Sequence, residues 1–441
     1  MTYQETLSYL SEARRFGMKP GLEPMHEVAL LLGEPQQGLR FIHIAGTNGK
    51  GSTAAFCESV LRAAGHRVGL YTSPHLVSIR ERIQINREPI SEEAFAEGLT
   101  AVREAVEKME GAQVTFFELI TALALWHFAR EKVDWVVWET GLGGRLDATN
   151  IVTPAVCIIT SIGLEHQQYL GESLREIAGE KAGIIKPGVP VVSGVEQIEA
   201  AQVIRQRAEE MGSPLVLLSR DMEVRNLGME EGRQAAEING RRYVLGLIGA
   251  HQVANSACAV VALQKLKVPG EAIARGLENT VWPARFEILR DDPLMVLDGA
   301  HNPAGMAALT ETWRAFLASR LGCRVSETEG RAHLIFSSVS EKNIAEMARL
   351  LRPLAKRVSV VRLGHDRGAE PSQLAEAFSD IPCASYDSVS ALWREIAATS
   401  DSDPILICGS LFLAGEMLAQ RHGHAEEYRL NERLEASLAT R

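Results

Sequence analysis

Short, nearly unbroken apolar runs alternate along this chain with longer stretches in which apolar residues recur every three or four positions. The runs predict strands at 41–45, 67–71, 133–139, 156–161 and 190–193, and the helical period appears at 50–64, 91–109, 116–130, 173–182 and 198–211. Strands without polar alternation are buried on both faces, so the rhythm predicts a largely parallel sheet covered by helices. Residues 219–246 break it with charge, scattered glycines and short alternation, which predicts a hairpin excursion before helices resume at 251–265 and 270–279.

A second series follows Trp282-Pro283-Ala284-Arg285-Phe286, with strands near 294–298, 333–337, 357–362 and 404–408 and helices near 303–319, 341–353, 370–379 and 387–399. Pro283, Asp291, Asp292 and Pro293 cluster in a linker expected at about 283–293. A chain of 441 residues is too long for one ordinary core. Two α/β domains are therefore expected, 1–286 with the excursion at about 219–246, and a smaller 287–441. A cleft between two such domains is a favoured place for a small-molecule site. The charged tail from Gly423 reads as helical or loose.

The strand ends carry the chemistry. The first strand runs into Gly46-Thr47-Asn48-Gly49-Lys50-Gly51-Ser52 and then a helix. Glycines let the backbone curl so that successive N–H groups face one anion, the helix start adds partial positive charge, and Lys50 adds a full one. The spacing is shorter than in the common P-loop, but strand, glycine loop, lysine and helix together predict a nucleotide triphosphate site. A second strand ends in Glu139 before Thr140-Gly141-Leu142-Gly143-Gly144-Arg145-Leu146-Asp147. In open parallel sheets ligands bind beyond the carboxyl ends of strands, so Glu139 faces the same crevice and is a candidate magnesium ligand. Strand ends also place Ser73 and His166 there, the first as a hydroxyl donor and the second as a nitrogen donor if neutral. Lys181 admits two readings, a solvated helix-end lysine or one packed among its small neighbours. In Asp298-Gly299-Ala300-His301-Asn302-Pro303, Asn302 and Pro303 fit a helix cap and first turn, which leaves Asp298 and His301 for function. Ile405 to Leu411 is a last strand entering a helix, which either binds an anion or closes the sheet.

Charge and composition narrow the partners. A formal net charge of −10 argues against a broad nucleic-acid surface, yet Lys50, Arg80, Arg82 and Arg145 can still line one positive cleft. The six cysteines form no C-x-x-C pair, and several lie inside apolar runs. Buried, reduced thiols in a cytoplasmic protein are the expectation. No basic segment followed by an apolar one opens the chain, and the apolar stretch from Phe116 to Ala129 is too short and too interrupted to span a bilayer.

Taken in order, the motifs resemble the folylpolyglutamate synthase/dihydrofolate synthase family of the Mur ligase superfamily. The resemblance starts at Arg15-Phe16-Gly17-Met18-Lys19-Pro20-Gly21-Leu22 and continues through 46–52, Thr72-Ser73-Pro74-His75-Leu76, Glu139 to Asn150 and Glu180-Lys181-Ala182-Gly183. His251-Gln252-Val253-Ala254-Asn255, Asp298 to Pro303 and Gly409-Ser410-Leu411-Phe412 complete it. It implies a P-loop NTPase-like ATP-binding domain with a mostly parallel sheet and a smaller Rossmann-like C-terminal α/β domain. It implies ATP and Mg²⁺, and ligation of L-glutamate to dihydropteroate or to the glutamate end of a folate, by a monomer. In the family pattern Gly46 to Ser52 bind ATP phosphates, and Ser73, Glu139, His166 and a carbamylated Lys181 hold magnesium. Asn255, Arg285, Asp298 and His301 reach the nucleotide, while Phe116, Phe117, Arg145 and Ser410 are assigned to the substrates.

Three departures stand out. The usual Pro-Gly-Arg is Pro283-Ala284-Arg285, where alanine should limit a positive φ. The usual Asp before the metal histidine is Glu165. The usual Asp-Lys-Asp is Glu341-Lys342-Asn343, which loses one acidic position. The competing readings are another Mur-type amino-acid ligase acting on a different carboxylate, and a nucleotide switch that makes no amide.

Overall fold

The structure is a computed structural model that describes residues 1–13, 21–109, 113–365, 367–398 and 402–436. The start of the resembling segment, Arg15 to Pro20, lies outside the described residues. The first sheet has eight strands: β1 (Phe41–Ala45), β2 (Val68–Tyr71), β3 (Ile83–Ile85), β4 (Glu88–Pro89), β5 (Trp135–Glu139), β6 (Val156–Ile159), β7 (Val191–Ser193) and β8 (Leu215–Leu217). Their order is β4-β3-β2-β5-β1-β6-β7-β8. All are parallel except β3 and β4, which add an antiparallel edge. β1, β5 and β6 are buried along their whole length, as the unbroken apolar runs require.

Helices cover both faces. Lys50–Ala63, Ala250–Lys265 and Gly270–Glu278 share one core with β1, β5 and β6, which holds Phe56, Val137, Ile158 and Leu277. Glu92–Val106 and Phe116–Arg130 pack on the opposite face around Phe95, Leu123 and Trp138. The excursion is larger than a hairpin: β9 (Val224–Glu230), β10 (Arg233–Ile238) and β11 (Arg241–Leu245) make a three-stranded antiparallel sheet.

The second sheet has six strands in the order β12-β13-β17-β14-β15-β16. They are β12 (Glu287–Asp291), β13 (Leu294–Leu297), β14 (Ala332–Phe336), β15 (Ala355–Val361), β16 (Cys383–Tyr386) and β17 (Ile405–Cys408). Only β12 runs antiparallel. The stretch expected as a linker is therefore largely edge strand and turn. Asp291, Asp292 and Pro293 mark the β12–β13 turn, while Pro283 lies in the short segment before Glu287 that connects the sheets. Helices fall where the period placed them, but Ile344–Leu351 and Pro371–Glu376 are shorter than expected. The charged tail is helical over Ala425–Ala436.

Four cysteines are buried, as expected, Cys323 is half-buried and Cys383 is exposed on the edge strand β16. Among the described residues no helix is long and apolar enough to cross a membrane.

The helix that begins at Lys50 is wedged against the helix Gly270–Glu278. A Cβ on Gly276 would fall 2.3 Å from the Val60 Cα, and the Ser59 hydroxyl donates to the Gly276 carbonyl at 2.8 Å. Backbone cannot give way there as a side-chain tip can. Gly276→Ala is expected to destabilise the protein by about 2 kcal/mol through overpacking, read as a lower denaturant midpoint with unchanged slope.

Candidate active site

The strand order sets β2, β5, β1 and β6 side by side, so their carboxyl ends present Ser73, Glu139, the 46–49 loop and the 160–166 loop along one edge. The glycine loop is pinned by its neighbour. Thr47 N–H donates to the Ser161 carbonyl at 2.8 Å, Asn48 N–H donates to Ser161 Oγ at 3.0 Å, and Thr160 Oγ1 donates to the Asn48 carbonyl at 2.7 Å. Gly49 caps the helix with φ 86° and no side-chain cap, so the helix start stays open toward the crevice. Asn255 lies against it, its Oδ1 only 2.2 Å from where a Cβ on Gly49 would sit. Any residue but glycine would be both strained and blocked.

Two ammonium groups converge on one backbone oxygen. Lys50 Nζ donates to the Gly46 carbonyl at 3.1 Å, and Lys181 Nζ donates to the same carbonyl at 2.9 Å. Lys181 is 4% exposed, so the solvated reading fails. Burial, and then Lys50 beside it, pull its pKa down to about 7. It is held by the second glycine loop. Arg145 N–H donates to the Glu180 carbonyl at 2.8 Å, the Arg145 guanidinium pairs with the Glu180 carboxylate at 2.8 Å, and Gly144 packs on the Glu180 and Lys181 carbonyls. Arg145 thus braces the Lys181 helix while its side chain stays exposed. Asp147 ties the loop together, accepting from Leu142 N–H at 2.8 Å and Thr149 N–H at 3.0 Å.

Glu139 is 3% exposed and accepts from Ser73 N–H at 3.2 Å. Burial raises its pKa to about 7, against the pull of Lys50, the Ser73 amide, Arg285 and Arg82. A buried carboxylate so poorly compensated fits a site for a hard cation. Among the described residues no three His, Cys, Asp or Glu side chains cluster into a ready-made cage. One carboxylate, a hydroxyl, phosphate oxygens and water suit Mg²⁺, which keeps several waters. His166 opens a short helix with φ 51° and is 47% exposed, 3.8 Å from Glu165. Partial burial lowers its pKa against Glu165, so the ring is neutral and able to ligate at neutral pH.

The second sheet closes the crevice. Asn302 Oδ1 caps its own helix by accepting from Gly305 N–H at 2.7 Å, while its Nδ2 reaches Asn48 Oδ1 at 3.3 Å. Lys342 pairs with Glu165 at 3.7 Å, and Asn343 caps the next helix, accepting from Glu346 N–H at 3.1 Å. The Glu341-Lys342-Asn343 departure therefore keeps a contact between the sheets. His301 lies nearby, its Nδ1 2.8 Å from the Gly299 carbonyl, and burial lowers its pKa.

Several expectations need correction. Asp298 has a structural task after all: its oxygens accept from Phe286 N–H and Ala300 N–H, both at 2.8 Å. Ala284 adopts the positive φ that alanine should resist, at 53°. Its buried peptide is over-determined, because its N–H donates to Glu287 at 2.9 Å and its carbonyl accepts from Gly299 N–H at 2.8 Å and Arg285 Nη1 at 2.9 Å. The Ser410 hydroxyl caps the last sheet helix, accepting from Phe412 N–H at 3.1 Å. Phe116 is core, whereas Phe117 is half-buried and lies across Gly141, so Phe117 is the ring available to a ligand. Glu118 completes the capping box of that helix. Gln252 was missed: it is buried, accepts from Asn255 Nδ2 at 2.9 Å and donates to Ser52 Oγ at 3.4 Å. Its place beside Asn255 on one helical turn was the available signal.

The Mur ligase middle domain pattern matches residues 44–263, and the Mur ligase glutamate ligase domain pattern matches 284–411. The chain is 37% identical to the dihydrofolate synthase/folylpolyglutamate synthase of Bacillus subtilis, over 94% of this chain and 98% of that protein. It is 33% identical to the Escherichia coli protein of the same description, over 93% and 94%. Among solved structures, Thermotoga maritima folylpolyglutamate synthase superposes with a TM-score of 0.84 at 32% identity, covering 97% of this chain and 99% of that one. Escherichia coli FolC, solved with DHPP and ADP, gives 0.83 at 30% identity, covering 96% and 98%. A phosphate loop and a second-sheet wall facing one crevice, with likeness over nearly the full length, place the chain in the folylpolyglutamate synthase/dihydrofolate synthase family of Mur ligases.

Proposed function

We propose that the chain joins L-glutamate to the carboxylate of dihydropteroate, to the glutamate tail of a folate, or to both, at the expense of ATP. The observation that carries this is the convergence of Lys50 and Lys181 on the Gly46 carbonyl beside the buried Glu139. The ADP and DHPP bound by the Escherichia coli relative support the same pair of ligands here. Residues 1–286 then hold ATP and the acceptor, and 287–441 complete the crevice. One copy supplies both walls, which supports a monomer, and reduced thiols with ATP dependence support a cytoplasmic setting.

A carboxylate does not acylate an amine in neutral water. Its oxygen must first attack the γ-phosphorus of ATP, forming a carboxyl–phosphate bond as the bond to ADP breaks. The glutamate amine then attacks the acyl carbon, phosphate departs, and the amine proton passes to solvent. The first step depends mostly on positioning and charge. The loop amides and Lys50 hold the phosphates, Asn255 and Arg285 the nucleoside side, and His301 approaches from the opposite wall. Glu139, Ser73 and His166 would hold Mg²⁺, which would neutralise phosphate charge. Lys181, with a pKa near 7, is neutral enough to take up CO₂, and its carbamate would add an anionic oxygen donor there. Phe117 offers a flat apolar face to the acceptor's ring.

Incubation of ATP and labelled glutamate with dihydropteroate, and separately with tetrahydrofolate, tests the reading. Amide product with either acceptor supports it. Product with neither, or ATP hydrolysis alone, defeats it in favour of another carboxylate or a switch. Lys50→Ala should cut ligation at least about a hundredfold at unchanged Tm, followed by phosphate release. Lys181→Ala should be slow and partly recover with added acetate or formate, whereas a variant indifferent to both the loss and the addition contradicts the carbamate. Because burial holds Glu139 protonated up to about pH 7, cation binding must displace a proton below that pH. The Mg²⁺ concentration for half-maximal rate should therefore fall as pH rises from 6 to 8, roughly tenfold per unit at the acid end.

A further inference from the structure

The loop from Ser73 to Arg82 joins the site to a distant part of the chain. On its inner side Ser73 N–H bonds Glu139, and the Arg82 guanidinium lies 5.5 Å from the Phe116 ring. The loop is a compact knot. The Glu81 carboxylate accepts from the N–H groups of Leu76, Val77 and Ser78 at 2.8, 3.0 and 2.8 Å, Arg82 Nε donates to His75 Nδ1 at 3.1 Å, and Thr72 N–H donates to the Arg82 carbonyl at 3.2 Å. A rigid knot moves as a unit, so whatever holds its outer side also fixes Ser73.

That outer side is held by the C-terminal helices, which follow the second sheet. Leu76 and Val77 pack into the core around Leu413, Ala414 and Met417. A Cβ on Gly415 would fall 2.1 Å from the Leu76 carbonyl oxygen, so helix Leu411–His422 touches the loop backbone directly. Tyr428 OH donates to the Phe412 carbonyl at 3.0 Å and folds the last helix back onto the one before. From that last helix Glu427 pairs with Arg80 at 3.0 Å. Asn431, 0% exposed, accepts from Ile79 N–H at 2.9 Å through Oδ1 and donates through Nδ2 to the Glu427 carbonyl at 2.8 Å. A buried amide with both ends used at a crossing of the two halves has been placed there for geometry, because removing it leaves a buried N–H unsatisfied.

We propose that the helix Ala425–Ala436 is a strap from the second half of the chain, and that Asn431 is a positioning residue setting the Ser73–Arg82 loop against the magnesium and acceptor side of the site. The inference rests on the ligase reading above. The phosphate loop is pinned separately, by Thr160, Ser161 and Asn255. Loosening the strap should therefore spare nucleotide binding and impair the acceptor and metal.

The test compares the parent protein with Asn431→Ala, Asn431→Asp and Glu427→Gln. Asn431→Ala should raise the KM for the acceptor and the half-saturating Mg²⁺ concentration roughly tenfold. The Kd for ADP, measured with a chelator present, should stay within about twofold. Asn431→Asp, which keeps an acceptor for the Ile79 N–H but loses the donor to the Glu427 carbonyl, should recover only part of the loss. Glu427→Gln should show the same pattern at about threefold and carries the test if Asn431→Ala does not fold. Unchanged acceptor KM in the alanine and glutamine variants, or ADP affinity falling in parallel with acceptor KM, overturns the strap. A parent protein that forms no amide with either acceptor overturns the ligase reading instead.

Discussion

The Gly46 carbonyl is the point on which the rest of the site depends. Two lysine ammonium groups from opposite sides of the first sheet donate to it. Like charges this close are unfavourable in a poorly solvated place, and burial first, then Lys50 beside it, depress the Lys181 pKa. An arriving triphosphate relieves the repulsion. The same neighbourhood holds Glu139, whose charge is disfavoured by burial.

This focus exists because of topology. Parallel strands β1, β5 and β6 lie side by side, so three loops must share one edge. The second sheet meets that edge through specific contacts: Asn302 to Asn48, Lys342 to Glu165, and the turn at Ala284 to Phe286 bound by Asp298 and Gly299. Along that edge the contacts are polar, while Leu76 and Val77 tie the two halves through an apolar core beside it. The C-terminal helix adds a firmer tie on the acceptor side.

Much of this was legible in the chain. Unbroken apolar runs located the buried strands, and glycine clusters after them located the loops, because burial on both faces and close backbone approach leave direct marks in sequence. The edge elements β3, β4, β12 and β16 left no such mark, being short, half-exposed or mixed in character. Polar side chains were harder to read. Asp298 and Ser410 carry functional-looking types at functional-looking places yet spend their oxygens on backbone N–H groups. Ala284 shows the converse, since three hydrogen bonds to residues near and far hold it where local preference would not. Asn431 and the Glu165–Lys342 pair matter through partners distant in sequence, which no local pattern discloses.

The terminal phosphate of ATP and the acceptor carboxylate are proposed to meet between Lys50, Glu139 and His301. A crystal structure with a non-hydrolysable ATP analogue, Mg²⁺ and a pteroate-type acceptor tests it most directly. The γ-phosphate is expected on the 46–52 loop, the cation on Glu139 and the acceptor carboxylate within reach of that phosphorus. A triphosphate bound elsewhere, or an acceptor whose carboxylate points away from it, would rule that meeting out.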